Sequence, residues 1–323
     1  MIFPWLASTW RQLHQSLETR RPQAVLLSGV NGVGQRELAA HVGGWLLCDH
    51  PSPQGACGQC VGCTWVAAGT HPDYWVIEPE EGSRTIKVDT IRSRLADAPQ
   101  TTHRSGLRVI VMGPMEALNV AASNALLKTL EEPTESTLFV LWTAAFARLL
   151  PTIISRCQRV RCAVTDESAA LAWLVSEVPQ LSALEARVLL CLADGGPLAA
   201  QEWYAAKGLA LRGECMRQLR DLLVSRSWLD SQVCEEWVAS HKGGRWLLVW
   251  ISVLVDIERA YCGVPAAYWT HRDCEPQLRQ IVGAWSVDRV RQALSRALEA
   301  RRVLGVSSGI NESLLWESLL NQL

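Results

Sequence analysis

Several things are missing from this sequence, and each absence narrows what it can be. It lacks a charge imbalance: 31 basic residues face 32 acidic ones, for a formal net charge of -1. That excludes a chain whose whole surface is a nucleic-acid-binding field, while leaving room for a local basic face. It has no basic–apolar–small series at its start of the kind that directs export, so a cytoplasmic protein is expected. Its longest strongly apolar run, residues 246–255, is about half the length of a bilayer-spanning helix, so that run is expected to be a buried core helix and no membrane partner is expected. There are no repeats and no low-complexity tract. The 11 cysteines are odd in number, and four of them cluster. Without an export signal, this argues for reduced thiols and a metal site, against a disulfide framework.

What is present suits a folded enzyme-like chain. At 323 residues, with 49% apolar residues, the sequence can build two or three cores. The 15 tryptophans sit mainly in helical apolar patterns, which points to core packing and away from a stacking platform. Residues 1–163 alternate short β runs (24–28, 74–78, 108–112 and 138–143) with helical stretches. That order predicts an α/β domain with a parallel sheet and crossover helices. After residue 164 no strand is expected. Three short helices (169–177, 183–193 and 198–208) predict a small all-α domain over 164–208, with Gly195-Gly196-Pro197 as a turn. Further helical stretches at 213–226, 245–261, 287–299 and 311–320 predict a helical C-terminal domain over 209–323.

The first β run enters Gly29-Val30-Asn31-Gly32-Val33-Gly34-Gln35-Arg36. Gly29 and Gly34 stand where a phosphate-binding loop needs them, between a strand and a helix whose N-terminal amides could cradle phosphate. Gln35, however, stands where a lysine would reach the β- and γ-phosphates. Arg36 stands where a hydroxyl would bind magnesium. An amide brings no charge, and a guanidinium cannot ligate a cation. The run 108–112 ends in Gly113-Pro114, where an ATPase needs carboxylates, and Glu116 comes two residues too late. Both halves of an ATP site are therefore expected to be degenerate. A tight strand-to-helix connection without history as a phosphate loop is the plainer alternative.

Cys48-x8-Cys57-x2-Cys60-x2-Cys63 is the most specific chemical signal. Four thiolates can close a tetrahedral zinc site, and a closed site is structural. A redox pair would need only two of them. His71, in Thr70-His71-Pro72-Asp73, is expected to serve a turn and not the metal. The scattered Cys157, Cys162, Cys191, Cys215, Cys234, Cys262 and Cys274 are expected to be packing residues.

Asn124-Ala125-Leu126-Leu127-Lys128-Thr129-Leu130-Glu131-Glu132-Pro133, followed by Ser155-Arg156-Cys157, resembles a stretch shared by bacterial clamp-loader subunits of the AAA+ superfamily. The cysteine cluster, Gly69-Thr70-His71-Pro72-Asp73-Tyr74, Ile86-Lys87-Val88-Asp89 and Gly309-Ile310-Asn311 are similar to signatures of the same family. The resemblance is dense to about residue 160. It implies a RecA-like AAA+ domain with a zinc module at 48–63, a helical lid, and a collar domain that joins a hetero-pentameric ring. The active gamma/tau type keeps the lysine and an acidic pair; this sequence departs from it at Gln35, Arg36, Gly113 and Pro114. Where active lids carry a nucleotide-sensing arginine after a Gly-Ser turn, this one has Leu198. The resemblance therefore implies a non-catalytic ring subunit that helps load a sliding clamp onto primed DNA within the DNA polymerase III assembly. ATP would be bound by neighbouring subunits. On its residues alone Arg156 reads as a surface charge; the resemblance implies that Ser155-Arg156 completes a neighbour's ATP site in trans. Gamma/tau, delta, the sliding clamp and the primer–template backbone are the implied partners. Lys87, Arg92, Arg94 and Arg104 are candidate phosphate contacts, with plain surface charge as the alternative. An active gamma/tau-type ATPase and a zinc-dependent nucleic-acid-binding adaptor are the rival readings.

Overall fold

The computed structural model describes residues 2–83, 85–91, 102–103, 106–131, 136–225, 244–306, 314–315 and 318–319, with the backbone only at 219, 221–225, 305 and 306. The chain divides into two compact units. One holds residues 1–173 with 195–199; the other holds 174–194 and 200–323.

The first unit is built on five parallel strands: β1 (Ala24–Ser28), β2 (Tyr74–Ile77), β3 (Arg108–Met112), β4 (Thr137–Thr143) and β5 (Gln158–Arg161). Their order is β2-β3-β4-β1-β5, all neighbours parallel. Four strands lie where the apolar runs predicted them. β5 was not among those runs, because Gln158-Arg159-Val160-Arg161 alternates polar and apolar and occupies a sheet edge. It pairs on one side only, with β1, so it needs little apolar content.

Side-chain alternation sorts the central strands onto two faces. Ala24, Leu26, Ile110, Met112, Phe139 and Leu141 form one core with Ala122, Leu126 and Leu130 of the helix Val120–Glu131. Val25, Leu27, Val109, Val111, Leu138 and Val140 are buried too. The helix Gln35–Leu46 packs on β3 and β4, and the helix Ala7–Thr19 on β5. Each fully buried Leu or Val contributes about 1.5–3 kcal/mol of transfer energy, so the inner strands anchor whatever their C-terminal ends carry.

The second unit is helical among its described residues. Its helices include Ala183–Leu192, Gly208–Ser225, Arg245–Tyr261, Glu275–Ala284 and Val287–Val306. The first opens on a reciprocal cap between Ser182 and Glu185. Arg245–Tyr261 contains the apolar run and buries Trp246, Trp250, Val253, Leu254 and Ile257, the expected core helix. No helix among the described residues is long and apolar enough to cross a membrane. The helix Glu275–Ala284 was not foreseen, and the last long helix runs seven residues past its expected end at 299. Of the segment 311–320, only 314–315 and 318–319 are described, as helical.

The connection after Arg245–Tyr261 is held by a buried polar centre. His271 Nδ1 accepts from Arg212 Nε at 2.9 Å, leaving Nε2 to donate to Ser252 Oγ at 2.8 Å. Burial pushes His271 down to about 3, so it is neutral at physiological pH. Asp256 accepts the amides of Thr270 and His271 at 3.0 and 2.8 Å. Two of the scattered cysteines depart from expectation: Cys191 and Cys262 are exposed, whereas Cys162 and Cys215 are buried. Cys234 lies outside the described residues.

Candidate functional site

Gly29–Gly34 leaves β1 and turns into the helix Gln35–Leu46, so the strand–loop–helix order of a phosphate loop is present. The loop's carbonyls are bonded by the chain itself. Gln35 is 3% exposed, and its Nε2 donates to Val30 O and Thr143 O at 3.3 and 3.4 Å. Its Oε1 is buried with no partner among the described residues. Trp5 Nε1 donates to Val33 O at 2.9 Å. Phe3 stacks on Trp5 at 4.8 Å, and Trp173 meets both rings edge-on. From the other direction the turn before Pro197 closes on the loop. Leu198 N donates to Gly32 O at 2.9 Å. A Cβ on Gly196 would lie 2.0 Å from Asn31 O, so only glycine permits this approach.

The positions where magnesium ligands would be expected carry other groups with other contacts. Arg36 makes a two-pronged pair with Glu78, just beyond β2, with both contacts at 2.6 Å. At the end of β3, a Cβ on Gly113 would lie 2.6 Å from the Trp142 ring and from Trp142 O. The close approach of β4 thus excludes a carboxylate there, beyond its absence from the sequence. Glu116 is turned toward the end of β4, accepting from Thr143 Oγ1 at 2.7 Å and from Ala144 N at 3.0 Å.

At the far end of the helix Gln35–Leu46 the four cysteines converge. Cys48, Cys57, Cys60 and Cys63 place their sulfurs within 4.8 Å of one another, with the Cys48–Cys60 and Cys57–Cys63 pairs at 3.9 Å. A tetrahedron with metal–sulfur bonds of about 2.3 Å has edges near 3.8 Å, so the donor set fits a tetrahedral thiophilic cation. Amides of Asp49, His50, Cys57, Gly58 and Cys63 point at the sulfurs at 3.2–3.4 Å. Donation from the Gln59 and Cys60 amides holds the Cys57 thiol down to about 6, while burial pushes Cys63 up to about 12. Trp10 Nε1 donates to Pro53 O at 2.8 Å, and the His41 ring backs Gly55, so the loop is seated on both helices. His71 stays out of the cluster. It is buried, and its Nδ1 accepts from Asp73 N at 3.1 Å, the turn role expected of it.

Ser155 and Arg156 follow the one-turn helix Pro151–Ile154 at the surface. Ser155 Oγ donates to Thr152 O at 3.1 Å. Arg156 Nη1 donates to Thr152 O at 3.0 Å and Nη2 to Glu131 Oε1 at 2.6 Å. Lys87 pairs with Glu80 at 2.8 Å; Arg92, Arg94 and Arg104 lie outside the described residues. Sequence reasoning had no signal for the Trp5, Leu198 or Glu131 contacts, because each joins segments distant in the chain.

A five-stranded parallel sheet whose first strand runs through a glycine loop into a helix, with a cysteine cluster at the far end of that helix, defines an α/β fold of the phosphate-loop kind. Residues 5–165 match the family described as DNA polymerase III, delta subunit, and residues 207–323 match its C-terminal counterpart. DNA polymerase III subunit delta' of Pseudomonas aeruginosa is 40% identical over 236 residues, covering 73% of this chain and 71% of the relative. The Escherichia coli subunit delta' is 31% identical, covering 98% and 94%. Subunit tau of Bacillus subtilis is 32% identical over 143 residues, 44% of this chain and 25% of that one. A solved DNA polymerase III gamma subunit-related protein from Thermotoga maritima is 20% identical, with a TM-score of 0.45 over 97% of both chains. The chain belongs to the delta' family of DNA polymerase III clamp-loader subunits.

Proposed function

We propose that this chain is a non-catalytic, stator-like subunit that helps a clamp loader place a sliding clamp on primed DNA and completes a neighbour's ATP site with Arg156. The observation that carries the non-catalytic reading is the commitment of Gln35, at the position of the phosphate-binding lysine. Its uncharged amide is buried and turns back onto Val30 O and Thr143 O. The trans role is supported by the placement of Arg156 at the surface with a side chain 35% exposed. A planar guanidinium there can stabilise charge on a transferring phosphoryl group.

The partners under this reading are gamma/tau and delta subunits in a hetero-pentameric ring, the sliding clamp through the complex, and the primer–template backbone. The same reading divides the chain into an AAA+ domain (1–163), a lid (164–208) and a collar (209–323). Cys48, Cys57, Cys60 and Cys63 would hold one structural zinc ion, whose chemistry is to fix the loop and not to activate a substrate.

The test is co-assembly with gamma/tau and delta subunits, followed by ATPase and clamp-loading assays. The isolated chain hydrolyses no ATP. Arg156→Ala leaves the chain folded and assembly intact but reduces hydrolysis at the one site it completes, on the order of a thousandfold. The other sites make the bulk loss partial, and clamp loading suffers more. Arg156→Lys rescues poorly, since an ammonium lacks the fork. A stable assembled ring with unchanged ATPase and clamp loading would end the trans reading.

A further inference from the structure

We propose that Glu131 is the positioning residue of Arg156, holding one edge of its guanidinium so that the remaining donors face outward; this rests on the trans reading of Arg156. An exposed arginine has many rotamers, and an arginine that must meet a phosphoryl group gains from being ordered beforehand. Here the guanidinium has two partners. Arg156 spends one donor of Nη1 on Thr152 O and one of Nη2 on Glu131 Oε1. Five N–H donors minus these two leaves three for an incoming anion.

Glu131 is suited to this by its place as well as its charge. It is the last residue of the helix Val120–Glu131. A carboxylate there faces the negative end of the helix dipole, so a cation beside it is favoured. Its side chain is 51% exposed. The pair therefore carries little of the fold, because exposed ion pairs stabilise weakly. What it fixes is direction: the carboxylate and Thr152 O together define where the guanidinium fork points.

The experiment uses the assembled loader with the phosphate-loop lysines of the other ATP sites replaced, so that the site beside this chain is read alone. Glu131→Ala is expected to lower kcat on the order of fivefold, the rate equivalent of one exposed ion pair. KM for ATP and the chain's melting temperature stay unchanged. Glu131→Gln retains part of the rate, since its carbonyl oxygen still accepts. In an Arg156→Ala background, Glu131→Ala adds nothing. In the isolated chain, the NMR signal of the Arg156 Nε–H shows an ordered side chain that becomes mobile in Glu131→Ala. A wild-type kcat in Glu131→Ala beside a large loss in Arg156→Ala would overturn the positioning role and leave the trans reading standing. A further loss on top of Arg156→Ala would place Glu131's action elsewhere and overturn it too. An unchanged Arg156 signal in Glu131→Ala would do the same without reference to ATPase, and an unchanged rate in Arg156→Ala would remove both readings.

Discussion

One helix, Gln35–Leu46, has at its two ends two loops that could hold ions, a glycine loop and a cysteine loop, and they differ in how they are held. At its N-terminus the phosphate loop keeps its course, and its carbonyls are bonded by Gln35, Trp5 and Leu198. Near its C-terminus the cysteine loop gathers four sulfurs within 4.8 Å of one another. The difference is chemical. A phosphate loop is made of backbone, which also satisfies itself with neighbouring carbonyls and amides, so its fold survives loss of the ligand groups. Four close thiols have no such substitute: a cation is what lets four neighbouring sulfurs all carry charge.

The comparison is broken most severely at the cysteine loop. If that loop holds zinc as proposed, Cys60→Ser takes the metal content from one ion per chain to none. Metal binding is coupled to local folding there, so proteolysis should first cut between residues 48 and 63 while the sheet still unfolds cooperatively. Elemental analysis and limited proteolysis read the two effects. Metal-free wild-type protein purified without chelator, with the loop still protease-resistant, would reverse the contrast by showing that this loop too is self-sufficient.

The next effect is at the phosphate loop, where Trp5 is expected to act as core. Trp5 is 1% exposed, stacks with Phe3 and bonds Val33 O. Trp5→Ala should cost about 3–5 kcal/mol in denaturant unfolding, as for a large buried aromatic. Trp5→Phe removes the indole donor together with one of its two fused rings, and should cost about 1–3 kcal/mol from the unpaired buried carbonyl and the volume lost. A loss below about 1 kcal/mol for the alanine variant, within the range of ordinary surface substitutions, would mean that Trp5 is ornament and the loop stands alone.

These two loops also mark how far the sequence could be read. The cysteine cluster was legible because all four cysteines fall within 16 positions, and local spacing fixes local geometry. The central strands were legible because their near-continuous apolar runs are what a buried parallel sheet requires. β5 was not, since an edge strand of alternating polarity looks like a loop. Gln35 and Gly113 marked the departures from an ATP-site pattern, but not the contacts that surround them. Those contacts, Leu198 reaching Gly32 and Trp142 crowding Gly113, join segments whose separation the sequence pattern does not encode. The Arg156–Glu131 pair is hidden for the same reason, although both residues stand in the motifs that carried the resemblance.

The sharpest form of the comparison is a substitution expected to do nothing. Gln35→Lys with Arg36→Thr restores the lysine and the hydroxyl that an active loop has. If those two side chains were all that is missing, the variant would bind ATP with magnesium. The structure argues otherwise. The turn at Gly196 already lies against Asn31 O, and Leu198 N already holds Gly32 O. A lysine at position 35 would replace a side chain that is 3% exposed, and its ammonium would be buried without a phosphate to pair with, at a cost that depresses its pKa instead of attracting nucleotide. Removing Arg36 releases only an exposed pair with Glu78, worth under about 1 kcal/mol. The expected result in equilibrium binding with a fluorescent ATP analogue is therefore no gain, together with a modest loss of stability from the buried lysine. Micromolar, magnesium-dependent binding by the double variant would show that the Gly196 turn yields readily, and that the loop is unarmed but not closed.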